Sequence, residues 1–244
     1  MAKISHDDID KYFEYGLDIP NRTIYLGCAN YNEDGDGNGV DFHMTEKFIK
    51  ALHILDMQAP QGDKPITIIA NNPGGSWYHG MAMFGAMESC KNHVTIKMYG
   101  HAMSMGSVIP QAADERLIDK RCRFMIHYGY DGGHGHSKLF EKWSDEGKIV
   151  NYEMENIYLD KMIEKDEEMQ NQGVYDYLET VMSQLMDRQN IFKHPPAPKT
   201  KYKFSKVPAK RKEDIRAALR DFLNFDSFLT AEETVALGLA DDVI

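Results

Sequence analysis

The stretch that decides the fold is residues 66–106, which read ITIIANNPGGSWYHGMAMFGAMESCKNHVTIKMYGHAMSMG. It opens with ITIIANN (66–72), a run rich in β-branched residues that predicts a strand. A Pro-Gly-Gly turn (73–75) follows, and the Met- and Ala-rich segment 80–90 predicts a helix. VTIKMYG (94–100) predicts the next strand. This order indicates parallel strands joined by a crossover helix, and therefore an α/β fold.

The same alternation continues on both sides of this stretch. RTIYLG (22–27) and RFMIHY (123–128) predict further strands, and apolar residues at helical spacing predict a helix over 44–57. SMGSVIPQAA (104–113) predicts a helix that begins at a serine. The sequence has no internal repeat of fixed period, so we expect one α/β domain over residues 1–244.

The C-terminal part combines a charge-segregated insertion with a short, helical ending. Residues 153–179 are rich in Glu and Asp, whereas residues 193–212 carry many basic residues, four prolines and no acid. We expect a helix followed by a Pro-stiffened loop, either solvated or docked on an acidic partner. The ending TAEETVALGLADDVI (230–244) has the capping-box pair Thr230 and Glu233, which predicts a short helix before a final strand.

Bulk composition restricts the classes of function. With 244 residues, 42% hydrophobic and 27% charged, the chain has the composition of an ordinary soluble domain. No run reaches the roughly 18 apolar residues that a membrane-spanning helix needs. A net charge of −10 disfavours a general nucleic-acid binder. The acidic N-terminus and three scattered cysteines lead us to expect a cytoplasmic location.

Ser104 is the strongest candidate for a reactive group. It lies between a predicted strand and a predicted helix, and its small neighbours Gly100, Ala102 and Gly106 are typical of a nucleophile elbow. A serine hydroxyl is a weak nucleophile unless a base removes its proton, and His127 at the end of the next strand is a candidate base. A carboxylate must then orient the imidazole. Ten histidines and 38 acidic residues leave its identity open at this point.

Four motifs, in this order, resemble the proteolytic subunit of the Clp protease. The motifs are NNPGGSW (71–77), GHAMSMGS (100–107), RFMIHYG (123–129) and DSFLTAEE (226–233). The family carries an N-S-P-G-G-S turn, a G-x-A-x-S-M-G serine motif, an M-I-H strand and a D-x-F-L-[ST]-A-x-E-A ending. The resemblance covers roughly residues 20–140 and 215–244. It implies a ClpP/crotonase-like α/β fold, a spiral of repeated ββα units with a protruding handle helix.

The resemblance also implies a catalytic triad. Ser104 takes the place of the nucleophile, His127 that of the general base and Asp226 that of the orienting acid, with Asp221 as the nearest substitute for the acid. The N–H groups of two further residues take the place of the oxyanion hole. These residues are Gly75 and Met105.

The implied reaction is hydrolysis of peptide bonds in unfolded polypeptides through an acyl-enzyme, with no metal or organic cofactor. The implied assembly is a homo-oligomeric ring, a heptamer or stacked heptamers, with an AAA+ unfoldase as a further partner. Residues 137–170 can supply the handle helix on which such rings stack. We assign residues 137–215 to this helix and a divergent insertion, and the role of 175–215 stays open.

The sequence departs from the family pattern in three places. It begins close to the first helix, so we expect a short or absent axial gate. Asn224 and Phe225 stand where the family has an acidic residue and an arginine that link the active site to ring contacts. The segment HYGYDGG (127–133) has one residue more than the family's H-Q-P-x-G-G. We therefore expect altered ring coupling and an altered substrate preference.

Three other functions are compatible with this pattern. A crotonase-like CoA-thioester enzyme uses a similar oxyanion turn without a serine nucleophile. A non-catalytic subunit would assemble with an active paralogue. A specialised peptidase, such as a virus-encoded maturation protease, would keep the chemistry but change the substrate.

Two patterns resemble metal sites, and neither is complete. DGDGNG (34–39) matches the opening of an EF-hand calcium loop, but Thr45 stands where the bidentate acid is required. HGH (134–136) offers two imidazoles, but no acid or Cys completes a recognisable zinc set. We therefore expect no metal site.

Overall fold

The protein is described by a computed structural model in four ranges of sequence. These are residues 6–27, 39–130, 136–190 and 200–244. The chain forms two compact units. The first unit contains Met1–Phe124 with Ala240–Ile244, and the second contains Met125–Leu239. The prediction of a single domain over residues 1–244 stays a prediction.

The described residues form eight strands and eight α-helices. The strands are β1 (Leu17–Asp18), β2 (Thr23–Gly27), β3 (Ile66–Asn72), β4 (Val94–Met103), β5 (Glu115–Ile118), β6 (Arg123–Ile126), β7 (Ser227–Leu229) and β8 (Asp242–Val243). The helices are α1 (His6–Tyr15), α2 (Phe42–Met57), α3 (Trp77–Glu88), α4 (Met105–Val108), α5 (Ser137–Asn171), α6 (Tyr177–Asn190), α7 (Pro208–Leu223) and α8 (Ala231–Ala236).

The first unit is built on a sheet in the order β1-β2-β3-β4-β5-β8. β1 runs antiparallel to β2, and the other neighbours in this order are parallel. In the register of the sheet, Ile68 of β3 is paired with Ile24 on one side and Ile96 on the other. All three side chains are buried, so the β-branched runs of the sequence form the core of the parallel sheet, as predicted.

Helices α2 and α3 begin slightly earlier than predicted, and the helix after Ser104 is divided. Asp41 caps α2, because its side chain accepts a hydrogen bond from the N–H of Met44. The helix predicted over 104–113 is wrong as a single element. It consists of α4 and a 3₁₀ turn, Ile109–Ala112, because Pro110 has no N–H to continue an α-helical ladder.

The second unit packs α5, α6, α7 and α8 around a separate core. The C-terminal part of α5 buries Tyr158, Leu159 and Met162. The part before Met154 has no buried side chain and exposes large apolar residues to solvent. These residues are Phe140, Trp143, Ile149 and Tyr152.

The expectation for the insertion was wrong in two respects. The acidic segment is not one helix, because α5 ends at Asn171, Gly173 adopts a positive φ of 86°, and α6 begins at Tyr177. The basic segment is not a loop throughout, because α7 begins at Pro208. Residues 191–199 of that segment lie outside the described residues.

Arg211 shows why part of the basic segment is not a solvated chain. It is buried, and its guanidinium donates from Nε and Nη2 to both carboxylate oxygens of Asp166 on α5, at 2.6 and 2.7 Å. A bidentate pair of this kind fixes the orientation of both helices at the contact. Helix α7 is therefore joined to α5 by a buried ion pair between Arg211 and Asp166.

Across the four described ranges, no helix is both long enough and apolar enough to span a bilayer. The longest helix, α5, has 35 residues, but charged side chains occur along its whole length.

The capping box at the start of α8 provides a test of the fold. Thr230 accepts a hydrogen bond from the N–H of Glu233, and the Glu233 carboxylate accepts one from the N–H of Thr230. We expect Thr230→Ala to lower the free energy of unfolding by about 1 kcal/mol, because an N–H at the start of the helix loses its acceptor. Urea unfolding measures this change. Thr230→Ser keeps the oxygen and should lose less than half as much; an equal loss in both variants would contradict the capping role.

Candidate active site

The glycine turn after β3 is held by hydrogen bonds on both sides. The buried Asn72 accepts the N–H of Gly74 on its side-chain oxygen at 2.8 Å. Val40 donates to the carbonyl of Gly74 at 2.6 Å and accepts from the N–H of Ser76 at 2.8 Å. None of these three hydrogen bonds involves the N–H of Gly75. The turn is therefore held in place without that group, which is the N–H predicted to face an oxyanion.

Ser104 has the backbone strain expected of a nucleophile elbow. It lies between β4 and α4, with φ 52° and ψ −128°, a region that residues with a side chain rarely occupy. Such strain is maintained only where the surrounding structure enforces it, and it is common at functional sites. The elbow predicted from the small neighbours of Ser104 is confirmed as local geometry.

The glycine turn approaches Ser104 so closely that only glycine fits. A Cβ on Gly74 would lie 2.6 Å from the Cβ of Ser104 and 3.0 Å from the backbone nitrogen of Met105. Met105 is the first residue of α4, so its N–H has no carbonyl partner within the helix. The two backbone segments predicted to supply the oxyanion hole, at Gly75 and Met105, thus lie beside the serine in the first unit.

In the second unit, the structure brings the predicted base and acid together. His127 Nδ1 lies 2.8 Å from Asp226 Oδ1, although the two residues are 99 positions apart in the sequence. His127 is buried, with 7% of its surface exposed, whereas the Asp226 side chain is 44% exposed. Because an ionised carboxylate can only accept, Nδ1 is the donor in this contact, and in a neutral imidazole the lone pair then lies on Nε2. This is the tautomer that a general base requires.

Asp221, the substitute considered for the acid, has a different partner. Its Oδ2 accepts the hydroxyl hydrogen of Tyr202 at 3.0 Å. The geometry therefore favours Asp226 over Asp221 as the residue that orients His127.

Tyr130 is a neighbour of the pair that the sequence reasoning missed. Its hydroxyl donates to Asp226 Oδ1 at 3.1 Å, and its ring meets the ring of His127 edge-on, with centroids 5.2 Å apart. The bond to Asp226 raises the pKa of Tyr130, so the hydroxyl keeps its proton at neutral pH. The extra residue in HYGYDGG was the signal that could have identified it, although residues 131–133 lie outside the described residues.

The buried Glu155 of α5 is the centre of a cluster that includes Tyr128, the residue after His127. Tyr128 donates its hydroxyl hydrogen to Glu155 Oε1 at 2.5 Å. Arg220 donates to both oxygens of Glu155 at 3.0 and 2.9 Å, and Arg216 donates to Oε2 at 3.4 Å. Burial alone would raise the pKa of Glu155, but the bonds from Arg220, Tyr128 and Arg216 outweigh it and hold the pKa below its ordinary value.

The insertion also contacts the segment that follows Asp226. Arg188 at the end of α6 donates to the carbonyl of Phe228 in β7 and to the carboxylate of Glu233, each at 2.7 Å. Ser227 is fully buried, and its hydroxyl contacts Gln189 Oε1 at 3.0 Å. Helix α6 therefore braces the strand directly after the candidate acid, a role that the sequence did not reveal.

Comparison with known proteins identifies the family. A sequence model described as Clp protease matches residues 37–193, more than half of the chain. The chain belongs to the Clp protease family. It is also 33% identical over 149 residues to the ATP-dependent Clp protease proteolytic subunit of Deinococcus radiodurans, an alignment that covers 60% of this chain and 67% of that protein. The family resemblance inferred from the four motifs is thus confirmed.

The architecture of this Clp protease family member agrees with the fold predicted from its sequence. A mainly parallel sheet with crossover helices fits the ClpP/crotonase-like fold predicted from the sequence. The matched segment contains Ser104 and His127, whereas Asp226 lies beyond it. Asp226 is therefore assigned on its motif and on its contact with His127, and the roles of all three residues stay predictions.

Among the residues with described positions, no three or more His, Cys, Asp or Glu side chains are grouped so that they could hold a metal ion. The calcium-like pattern at 34–39 and the HGH pattern at 134–136 lie largely outside the described residues.

The Glu155 cluster predicts a specific dependence of stability on pH. Because the pKa of Glu155 in the folded protein lies below its ordinary value of 4.5, the stabilisation is complete above pH 4.5 and is lost as the pH falls through the lower, folded-state value. Glu155→Gln should therefore cost about 3–5 kcal/mol near neutral pH, because the buried Arg216 then keeps only its longer contact with the exposed Glu213. The difference from wild type should shrink on acidification below pH 4.5.

Urea unfolding of both proteins near neutral pH and at about pH 3 measures this dependence. Glu168→Gln on the same helix is the control, since Glu168 pairs with Lys165 on the exposed surface and should change stability by less than about 1 kcal/mol. An E155Q difference that is equal at both pH values would contradict the assignment.

Proposed function

We propose that this protein is a serine endopeptidase that hydrolyses peptide bonds of unfolded polypeptides inside an oligomeric ring chamber. Membership of the Clp protease family supports a protease role at the level of the family. The finer proposal is that Ser104, His127 and Asp226 act together as a triad. The observation that carries it is the 2.8 Å contact between His127 Nδ1 and Asp226 Oδ1.

In the proposed reaction, His127 Nε2 removes the hydroxyl proton of Ser104 as Oγ attacks the carbonyl carbon of the scissile bond. The tetrahedral oxyanion is stabilised by the N–H groups of Gly75 and Met105. The C–N bond then breaks as the imidazolium gives its proton to the leaving amine, which leaves an acyl-enzyme on Ser104. Water, deprotonated by the same imidazole, hydrolyses the ester and restores the hydroxyl.

The local geometry of each unit supports this assignment. A strained turn at a serine exposes the hydroxyl, so that it can attack a substrate carbonyl. The glycine turn beside it keeps an N–H unused by the bridge to Val40. A buried imidazole that donates from Nδ1 to a carboxylate can accept a proton on Nε2 and is stabilised once charged.

We also propose that the chain assembles into a homo-oligomeric ring, a heptamer or stacked heptamers, and that an AAA+ unfoldase supplies unfolded substrate in the cytoplasm. The relative in Deinococcus radiodurans is named as a subunit of an ATP-dependent protease, which supports this partner. The exposed apolar residues in the first half of α5 support burial against another copy of the chain.

Removal of the proposed nucleophile tests the reaction. Peptide hydrolysis should elute from a sizing column well above the 27.9 kDa of the monomer. In Ser104→Ala it should fall by at least about 10³-fold, because no oxygen remains to form the acyl-enzyme. A fluorophosphonate probe should label wild type at residue 104 and leave the variant unlabelled.

Ser89→Ala is the control, since this serine is exposed at the end of α3 and its hydroxyl binds only the carbonyl of Gly85 within the same helix. Equal turnover by wild type and Ser104→Ala would remove Ser104 from the mechanism. Binding of a CoA thioester by a protein that the probe does not label would favour the crotonase-like alternative. Absence of both would favour a non-catalytic subunit.

The two candidate acids allow a second, paired test. Asp226→Asn should lower kcat by about 10⁴-fold, because an amide no longer holds the imidazole in the reactive tautomer. Asp221→Asn changes only the acceptor of the Tyr202 hydroxyl and should leave kcat within about threefold of wild type. Steady-state hydrolysis by the assembled fraction measures both. The opposite ranking of the two variants would transfer the acid's role to Asp221.

A further inference from the structure

The Glu155 carboxylate is a buried and heavily bonded charge of the second unit that the proposed mechanism does not use. It is 4% exposed, and three side chains donate to it. Two of these donors, Arg216 and Arg220, lie one turn apart on α7, and the third, Tyr128, lies outside any helix or strand. Four hydrogen bonds to one buried carboxylate leave it a single position.

The residues that bind Glu155 lie next to one member of the candidate pair and on the helix that precedes the other. Tyr128 directly follows His127. The N–H of Tyr128 donates to the carbonyl of Leu223 at 2.8 Å, and Leu223 is the last residue of α7, three positions before Asp226. The phenol of Tyr128 and the guanidinium of Arg220 thus tie both ends of the His127–Asp226 contact to one point on α5.

The charges that face Glu155 favour a permanent clamp. From α7 it meets the guanidinium groups of Arg216 and Arg220, and the ring of Tyr152 on its own helix lies under Arg216, 5.1 Å from its centre. Burial and the bond to Glu155 raise the pKa of Tyr128, so the phenol remains a donor. Near neutral pH the cluster is therefore a carboxylate with three protonated donors.

Tyr128 stands at a position where the motif of this chain differs from the family pattern. The family pattern has Gln after the base, where this sequence has Tyr128, and it has an acidic residue and Arg where this sequence has Asn224 and Phe225. The contact between Tyr128 and Glu155 therefore lies where the motif of the chain departs from that of the family.

We propose that Glu155 and Tyr128 are positioning residues which hold His127 in register with Asp226, so that the placement of α5 determines the geometry of the base. The proposal rests on the proposed function, in which His127 takes the proton of Ser104. Neither residue touches the substrate. Each acts through the backbone that follows His127 and through the helix α7 that precedes Asp226.

Tyr128→Phe is the least disruptive test, because it removes one oxygen and leaves the ring and every charge in place. We expect kcat for peptide hydrolysis to fall about 10-fold with KM unchanged, since a base displaced by a fraction of an ångström loses rate without loss of substrate binding. We also expect faster hydrogen–deuterium exchange at C2 of the His127 ring, read by mass spectrometry, because a less firmly held imidazole is more accessible to water.

Tyr202→Phe is the matched control. Tyr202 also donates its hydroxyl to a carboxylate of α7, that of Asp221, but it has no chain neighbour in the candidate pair. It should leave kcat and the exchange of His127 unchanged. Glu155→Gln weakens the bonds from Arg216 and Arg220 as well as the one from Tyr128, so its exchange at His127 should be at least as fast as that of Tyr128→Phe.

The two readouts separate this proposal from the proposed function. If wild type hydrolyses no peptide and Ser104 is not labelled, the proposed function fails, and the exchange of His127 still tests the clamp. Identical exchange of His127 in wild type and Tyr128→Phe overturns the clamp whatever the activity. A loss of assembly in Tyr128→Phe, or an equal loss of kcat in Tyr202→Phe, would mean that these phenols support the fold in general, and it would also overturn the proposal.

Discussion

The feature on which the first unit depends is the absence of space between the glycine turn and Ser104. The backbone of Gly74 approaches Ser104 and Met105 to a distance at which no side chain can be inserted. β3 and β4 are neighbours in the sheet, and the glycine turn follows β3 whereas the turn at Ser104 follows β4. The close approach of these two turns therefore fixes where both strands end. It also explains the strained φ of Ser104, since a relaxed turn would not present the N–H of Met105 beside the glycines.

The second unit meets a different requirement, which is to hold an exposed carboxylate in a fixed position. Asp226 is only three residues past α7, a helix that begins in the divergent region. The chain on both sides of it is anchored, by Arg220 on Glu155 before it and by Arg188 on the carbonyl of Phe228 after it. The insertion is thus part of the support for the candidate acid and is not an appendage to it.

The sequence predicted those parts of the fold that depend on local chemistry. The strands at 66–72 and 94–100, the serine between strand and helix and the capping box at Thr230 each have a pattern within a few residues, and each is confirmed. The division of the acidic segment into two helices was missed, although Gly173 marked it. The start of α7 was missed because the many lysines and prolines obscured a helix whose apolar face lies further along the chain.

Long-range contacts were beyond prediction for a physical reason. Nothing near Glu155 in the sequence distinguishes it from the other acidic residues of α5, because its partners lie 27 to 65 positions away. The pairing of His127 with Asp226 could be anticipated only from the family motifs. The sequence showed that the segment containing Tyr130 is one residue longer than the family motif, but it did not show that Tyr130 binds Asp226.

The buried charge at Glu155 is better understood as a geometric device than as a source of stability. Taking a carboxylate and a guanidinium out of water costs several kcal/mol for each ion, and an apolar side chain at the same place would often give a protein of equal or greater stability. An apolar side chain has no direction, however, and would pack against Tyr128 in more than one way. A carboxylate that accepts from a phenol and two guanidinium groups permits only one arrangement, and this suits a candidate base that lies 2.8 Å from its candidate acid.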